Sequence, residues 1–220
     1  MAIWEAMAKA ANMPLCNFLG GSLGAVKAYN SNGLWLEESN ILESEAEELV
    51  DEGNFSAIKM RLGRENFNDD LEAIHTVRQV VGDHIKLMVD FNQSLTLDEA
   101  LNRCHKLDDF NLTWIEEPLI YDNFDGYSRL TKDIKTPIQL GENFYGHREL
   151  YKALQIGASD LVMPDFMRIG GVSGWLKSAT IAEAAGIPIS THLYPEVGAH
   201  VMRVSQSAHW LEWLDWADEI

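Results

Sequence analysis

Along the chain, short apolar runs rich in β-branched residues end in polar side chains and give way to stretches whose apolar positions recur at helical spacing. This alternation predicts parallel strands joined by helical crossovers. Strands are expected near Val26–Asn30, Ala57–Arg61, Lys86–Asn92, Thr113–Glu117, Ile138–Glu142, Leu161–Asp165, Pro188–His192 and Trp210–Leu214. Eight such runs predict an α/β fold, a (β/α)8 barrel of the TIM type. In the intervening stretches, Ser44 with Glu47 ahead of Leu49 and Val50, and Thr96 with Glu99 ahead of Ala100 and Leu101, both carry capping-box spacing. Between Asp70 and Val81, the residues Leu71, Ile74, Val77, Val80 and Val81 share one helical face, and Gly82 supplies a stop.

Barrels of this type take about 250 residues, so a chain of 220 is expected to be truncated at both ends. It opens within an amphipathic stretch, Ile3 to Leu19, and ends after the eighth strand with no pattern for a final helix. No Pro-, Gly- or Ser-rich linker divides it, so one large domain is expected. Composition narrows the function classes. With 34 acidic against 17 basic residues and a net charge of -17, the chain lacks the basic footprint of a nucleic-acid or anionic-membrane surface. Cys16 and Cys104 have neither disulfide-framework nor zinc spacing. With no leader pattern and no apolar run near 18 residues, a cytoplasmic protein is expected.

In a parallel barrel the chemistry lies where strands end at their C-terminal side, around one mouth. The candidate strand ends carry Lys59 and Arg61, Asp90 and Asn92, Glu116 and Glu117, Glu142 and Asn143, Asp165, His192 and Glu212. Asp90, Glu116 and Glu142 follow one another at intervals of 26 residues, one carboxylate per strand. Oxygen ligands on rigid strands suit a hard cation such as Mg2+. Asp165 precedes His192 by 27 residues, where a carboxylate can set an imidazole's tautomer and raise its basicity. The other six histidines are read as structural or merely exposed. Lys59 and Arg61 share a strand face and could bind a carboxylate. Gly170-Gly171-Val172-Ser173-Gly174 lacks the Lys-Ser/Thr ending of a phosphate loop.

Several local words carry a resemblance: Leu87-Met88-Val89-Asp90-Phe91-Asn92-Gln93-Ser94, Trp114-Ile115-Glu116-Glu117-Pro118, Gly141-Glu142-Asn143, Met163-Pro164-Asp165, Ile169-Gly170-Gly171-Val172 and Ser190-Thr191-His192-Leu193. In this order they resemble the mandelate racemase and muconate lactonizing enzyme family of the enolase superfamily, in its mandelate racemase subgroup with the acid-sugar dehydratases. The resemblance implies metal ligands at Asp90, Glu116 and Glu142, one Mg2+ per site, a catalytic dyad of Asp165 and His192, and a carboxylate-contacting or electrophilic acid at Glu212. It marks Lys59, Asn92 and Ser31 as substrate contacts. It also makes residues 1–21 a remnant of the helix and turn joining an absent N-terminal α+β cap to the barrel, and 22–220 the barrel domain.

One position departs from the family pattern. Mandelate racemase carries a Lys-x-Lys pair whose second lysine is a base; here the pair reads Lys59-Met60-Arg61. Arginine stays protonated, so Arg61 is expected to be a fixed cation binding a substrate oxygen. The implied chemistry is abstraction of the α-proton of a small-molecule hydroxycarboxylate through a stabilised enediolate, as dehydration of an acid sugar. Alternatives are a racemase or epimerase with Lys59 as second base, or a catalytically silent barrel fragment. A homo-oligomer is the expected assembly.

Overall fold

A computed structural model describes residues 1–215. They fall in two compact units, a flanking unit of Met1–Ala28 with Leu140–Glu212, and a central unit of Tyr29–Gln139 with Trp213–Ile220, of which residues 216–220 lie outside the described residues. The elements run α1 (Ala2–Ala10), α2 (Leu15–Phe18), β1 (Ala28–Asn30), α3 (Ser39–Asp51), β2 (Ala57–Arg61), α4 (Phe67–Val81), β3 (Lys86–Asp90) and α5 (Leu97–Leu107). They continue with β4 (Ile115–Glu116), α6 (Phe124–Asp133), β5 (Ile138–Leu140), α7 (His147–Gln155), β6 (Leu161–Val162), α8 (Phe166–Ile169), α9 (Gly171–Ala185), α10 (Pro195–Met202) and β7 (Leu211–Trp213). Strand and helix alternate as in the TIM-barrel class. No helix among the described residues is long and apolar enough to cross a membrane.

In the central unit the strands lie in the order β5-β4-β3-β2-β1 and pair in parallel. The register sets Arg61 opposite Asp90, Asp90 opposite Glu116, and Glu116 opposite Gln139. Every residue of β2 is buried, Lys59 and Arg61 included. Strands covered on both faces read as continuous apolar runs, and Ile58, Met60, Leu87, Met88 and Val89 meet that demand. Thr96 and Glu99 form the expected reciprocal cap on α5. Ser44 does not cap α3. That helix begins five residues earlier because Leu42, Ala46 and Leu49 bury one face, and Ser44 Oγ bonds Glu48 Oε1 one turn on. On α4 the buried stripe is Ala73, Ile74, Val77 and Val81, whereas Val80, expected in it, is exposed.

Asp70 at the start of α4 is fully buried and satisfied. Its carboxylate accepts the amides of Gly63 and Arg64, both at 3.1 Å, and the guanidinium groups of Arg64 at 3.3 Å and Arg103 at 3.1 Å. One side chain thereby ties the β2–α4 turn to α5.

The flanking unit holds α1 and α2, separated at Pro14, and the crossovers from α7 to α10. Met163 N donates to Leu140 O, and Val162 pairs with Ile189 in parallel. The strand expected over Pro188–His192 is not continuous. Isolated bridges join Ile189 to Val162 and Ala208, and His192 to Asp165; Pro188 has no N–H to extend the ladder. Other strands are shorter than expected, with β4 and β6 two residues each, so Asn92, Glu117, Glu142, Asn143 and Asp165 stand on loop residues beyond their strands, while Lys59, Arg61, Asp90, Glu116 and Glu212 stay within them. Phe166 stacks on buried Trp175 with ring centroids 5.1 Å apart. Burial, aided by the charge of Lys27, pulls the His209 imidazole down to about 4.

Two outcomes are expected. Asp70→Asn leaves two guanidinium groups without their buried counter-charge and should lower unfolding free energy by about 3 kcal/mol in urea titration. His209 binds its proton more weakly folded than unfolded, so the stability it contributes is complete above pH ~6.5 and lost as pH falls toward 4. On the order of 1–2 kcal/mol is at stake after solvent screening. His209→Gln should flatten the pH dependence of the thermal midpoint between pH 6.5 and 5.

Candidate functional site

Within the central unit, the C-terminal ends of β2, β3 and β4 bring three charged side chains together below the protein surface. Lys59 Nζ lies 2.5 Å from Glu116 Oε1 and 3.5 Å from Asp90 Oδ2. All three residues are at most 1% exposed. The other Glu116 oxygen accepts Trp114 Nε1 at 2.9 Å and Gln139 Nε2 at 3.3 Å. Asp90 accepts the amide of Asn92 at 2.8 Å and its side-chain nitrogen at 3.0 Å. The carboxylates are thus oriented, yet two negative charges share one ammonium. Such a donor set, all oxygen and net negative, fits a hard divalent cation.

The turns beyond these strands are strained. Asn92, Gln93 and Glu117 have φ of 44, 64 and 34 degrees, where non-glycine residues are uncommon. Gln93 Nε2 donates to the buried Glu117 carboxylate at 2.7 Å, and Gln93 N to Glu117 O at 2.7 Å, which ties the two turns together. Arg61 points its guanidinium at the segment after β1. Nη1 donates to Ser31 O and Gly33 O, and Nη2 to Ser31 Oγ, each at 2.9 Å. The Trp35 ring covers it at 4.3 Å.

The flanking unit assembles the other titratable groups. Asp165 Oδ2 meets His192 Nδ1 at 2.8 Å, while Asp165 Oδ1 accepts the amides of Met167 and Arg168 and so caps α8. His192 Nε2 faces Glu142 Oε2 at 3.3 Å. Glu142 follows Gly141, whose φ of +138 degrees and closeness to the Met163 backbone, at 3.1 Å from a notional Cβ, would strain any side chain there. Glu212 is buried and accepts the Leu193 amide at 2.9 Å. Burial alone would favour neutral His192, but the hydrogen bonds of Asp165 and Glu142 and the charges of Glu212 and Glu142 outweigh it and raise the imidazole to about 10. Burial pushes Asp165 up, yet the His192 contact and the two α8 amides hold it below the usual carboxylate range.

The predicted residues therefore fall into two sets, Ser31, Lys59, Arg61, Asp90, Asn92 and Glu116 in the central unit, and Glu142, Asp165, His192 and Glu212 in the flanking unit. Sequence reasoning missed Trp114, Gln139, Gln93 and Trp35. Trp114 was within reach, because two residues before Glu116 on one strand is the same face. Gln139 becomes visible only with the register that sets it opposite Glu116.

The sequence pattern of the Enolase C-terminal domain-like family matches residues 42–219. An enolase from alpha pretobacterium bal199, solved with bound Mg, is 60% identical, with a TM-score of 0.98 over 100% of this chain and 61% of that one. A Bradyrhizobium enolase complexed with magnesium and mandelic acid is 41% identical, with a TM-score of 0.94 over 98% of this chain and 59% of its own. The L-talarate/galactarate dehydratase of Salmonella typhimurium is 33% identical across 100% of this chain and 55% of its length. The chain spans about half the length of the curated relatives it matches, among which are both dehydratases and epimerases.

The charge imbalance around Lys59 has a measurable consequence. Lys59→Met removes the ammonium from two buried carboxylates and should cost about 3 kcal/mol of stability in chelator-treated protein, read from urea unfolding. Added Mg2+ should return part of that loss.

Proposed function

Because the chain belongs to the Enolase C-terminal domain-like family, we propose that it forms the barrel part of a Mg2+-dependent enzyme that removes the α-proton of a hydroxycarboxylate, with dehydration of an acid sugar as the reaction. The observation that carries this reading is the His192–Asp165 pair, a half-buried imidazole held at Nδ1 by a carboxylate and carrying its reactive nitrogen on the other side. Asp90, Glu116 and Glu142 would hold the cation. When bound, Mg2+ supplies Lewis-acid stabilisation of the negative charge that grows on the substrate carboxylate as the α-proton leaves.

The remaining work falls to side chains. Lys59 places a fixed positive charge beside the same carboxylate, and Ser31, Asn92 and Glu212 contact substrate oxygens. His192 takes the α-proton at Nε2. With Glu142 engaged as a ligand, His192 loses one of the partners that keep it protonated, so its basicity falls toward the range a base needs. Once protonated, His192 returns the proton to the departing β-hydroxyl, which leaves as water. The resulting enol tautomerises to a 2-keto-3-deoxy acid.

Arg61 favours dehydration over inversion. Racemisation needs a proton acceptor on each face of the α-carbon, and a guanidinium stays charged. Racemisation with Lys59 as second base is the competing reading, supported by the mandelic acid held by the Bradyrhizobium relative.

The test follows α-carbon deuteration by NMR in D2O, with Mg2+ and a panel of acid sugars and both mandelate enantiomers, on full-length protein. One epimer is expected to exchange and lose water. His192→Asn should reduce exchange by at least about 100-fold while leaving Mg2+ affinity within about twofold, since the imidazole is not a ligand. Equal exchange of both epimers without water loss makes the enzyme a racemase. No exchange of any acid removes the enzymatic reading.

A further inference from the structure

The segment after β1 is held in place by one side chain. Arg61 Nη1 donates to Ser31 O and Gly33 O, and Nη2 to Ser31 Oγ, each at 2.9 Å. The Arg61 amide donates to Leu34 O at 2.8 Å, and Leu34 sits in the left-handed region with φ of 56 degrees. The Ser31 amide is in turn fixed on Trp213 O at 2.9 Å. Ser31 is completely buried and Arg61 is 5% exposed, with the Trp35 ring over the guanidinium.

This arrangement constrains a proton. A guanidinium has five N–H donors and no acceptor, and it does not deprotonate in proteins. A serine hydroxyl can donate once and accept twice. Where Nη2 donates to Ser31 Oγ, that oxygen is an acceptor toward Arg61, and its hydrogen must point elsewhere. Nη1 meanwhile fixes the Ser31 carbonyl, so backbone and side chain are oriented by the same planar fork. A lysine at this position has one nitrogen on a flexible stem and cannot hold two carbonyls and a hydroxyl in that geometry.

We propose that Arg61 is a positioning residue that acts through Ser31, occupying one lone pair of its hydroxyl oxygen and so fixing the orientation in which the hydroxyl donates to a carboxylate oxygen of the substrate. The inference rests on the site being a carboxylate-binding one, as proposed above. It assigns Arg61 a role other than base or direct substrate contact, since three of its N–H groups are directed to residues 31–33.

The experiment uses oxalate, a planar dianion that resembles an enediolate and carries no sugar specificity, titrated calorimetrically into full-length protein saturated with Mg2+. Four proteins are compared: unmodified, Ser31→Ala, Arg61→Lys and the double variant. Each single variant is expected to bind oxalate about tenfold more weakly, the loss of one hydrogen bond to a charged acceptor. The double variant should bind no more weakly than Ser31→Ala, because without the hydroxyl Arg61 has nothing to orient. Losses that multiply to about 100-fold would overturn the proposal, as would Arg61→Lys binding like the unmodified protein. Arg61→Gln replaces Arg61→Lys in the cycle if the lysine variant does not fold. Should neither fold, Ser31→Ala decides: weakened binding supports the donor role, and unchanged affinity overturns it. Failure of the unmodified protein to bind oxalate with Mg2+ defeats the carboxylate-site reading itself, an outcome distinct from intact binding without coupling.

Discussion

A buried ammonium needs partners, and in this chain the position of Lys59 is meaningful only because three strands keep register. An unpaired charge is not tolerated in an interior, while a charge flanked by two carboxylates at 2.5 and 3.5 Å is. That pairing requires Arg61 opposite Asp90 and Asp90 opposite Glu116. A slip of one residue along β3 would turn Asp90 to the other face and take one carboxylate away from Lys59. Trp114 and Gln139 then hold the Glu116 oxygen opposite the one Lys59 meets, Asn92 bonds both oxygens of Asp90, and the strained turns at Asn92, Gln93 and Glu117 lie directly beyond them. Fold and electrostatics constrain each other at the same few residues.

Much of this was readable before any coordinates. Apolar runs with polar ends locate β2 to its residue limits, because a strand buried at all positions leaves an unbroken signal that stops where its charged side chains need partners. The capping box at Thr96 was readable for a similar reason, since both members of the motif act within one turn. The same motif misleads at Ser44. There the tertiary burial of Leu42 starts the helix upstream, and local spacing has no means of reporting it. The segment at Pro188–His192 reads as a strand by composition, yet pairing depends on partners supplied from distant parts of the chain.

The candidate site shows the same division. Residue types at strand ends were legible because a parallel α/β sheet collects its chemistry there, and the His192–Asp165 contact agrees with a spacing of one strand–helix unit. What the side chains of Arg61 do was not legible. A cation beside Lys59 reads as a ligand for anions, whereas its donors are directed to Ser31 and Gly33. The backbone carbonyls of a connecting segment leave no trace in residue identity, so a role exercised through them appears only in three dimensions.

Asp165 divides its two oxygens between two tasks, one capping α8 through the amides of Met167 and Arg168 and the other holding His192. The tuning of the imidazole is therefore inseparable from the folding of the helix that follows it. A lineage that drifts toward a different proton affinity at His192 by changing Asp165 must also find a new start for α8. Asparagine keeps the cap but withdraws the charge, and glutamate keeps the charge but moves the cap. A change in the proton affinity of His192 therefore disturbs the fold less when made at residues around the Asp165–His192 pair than within it.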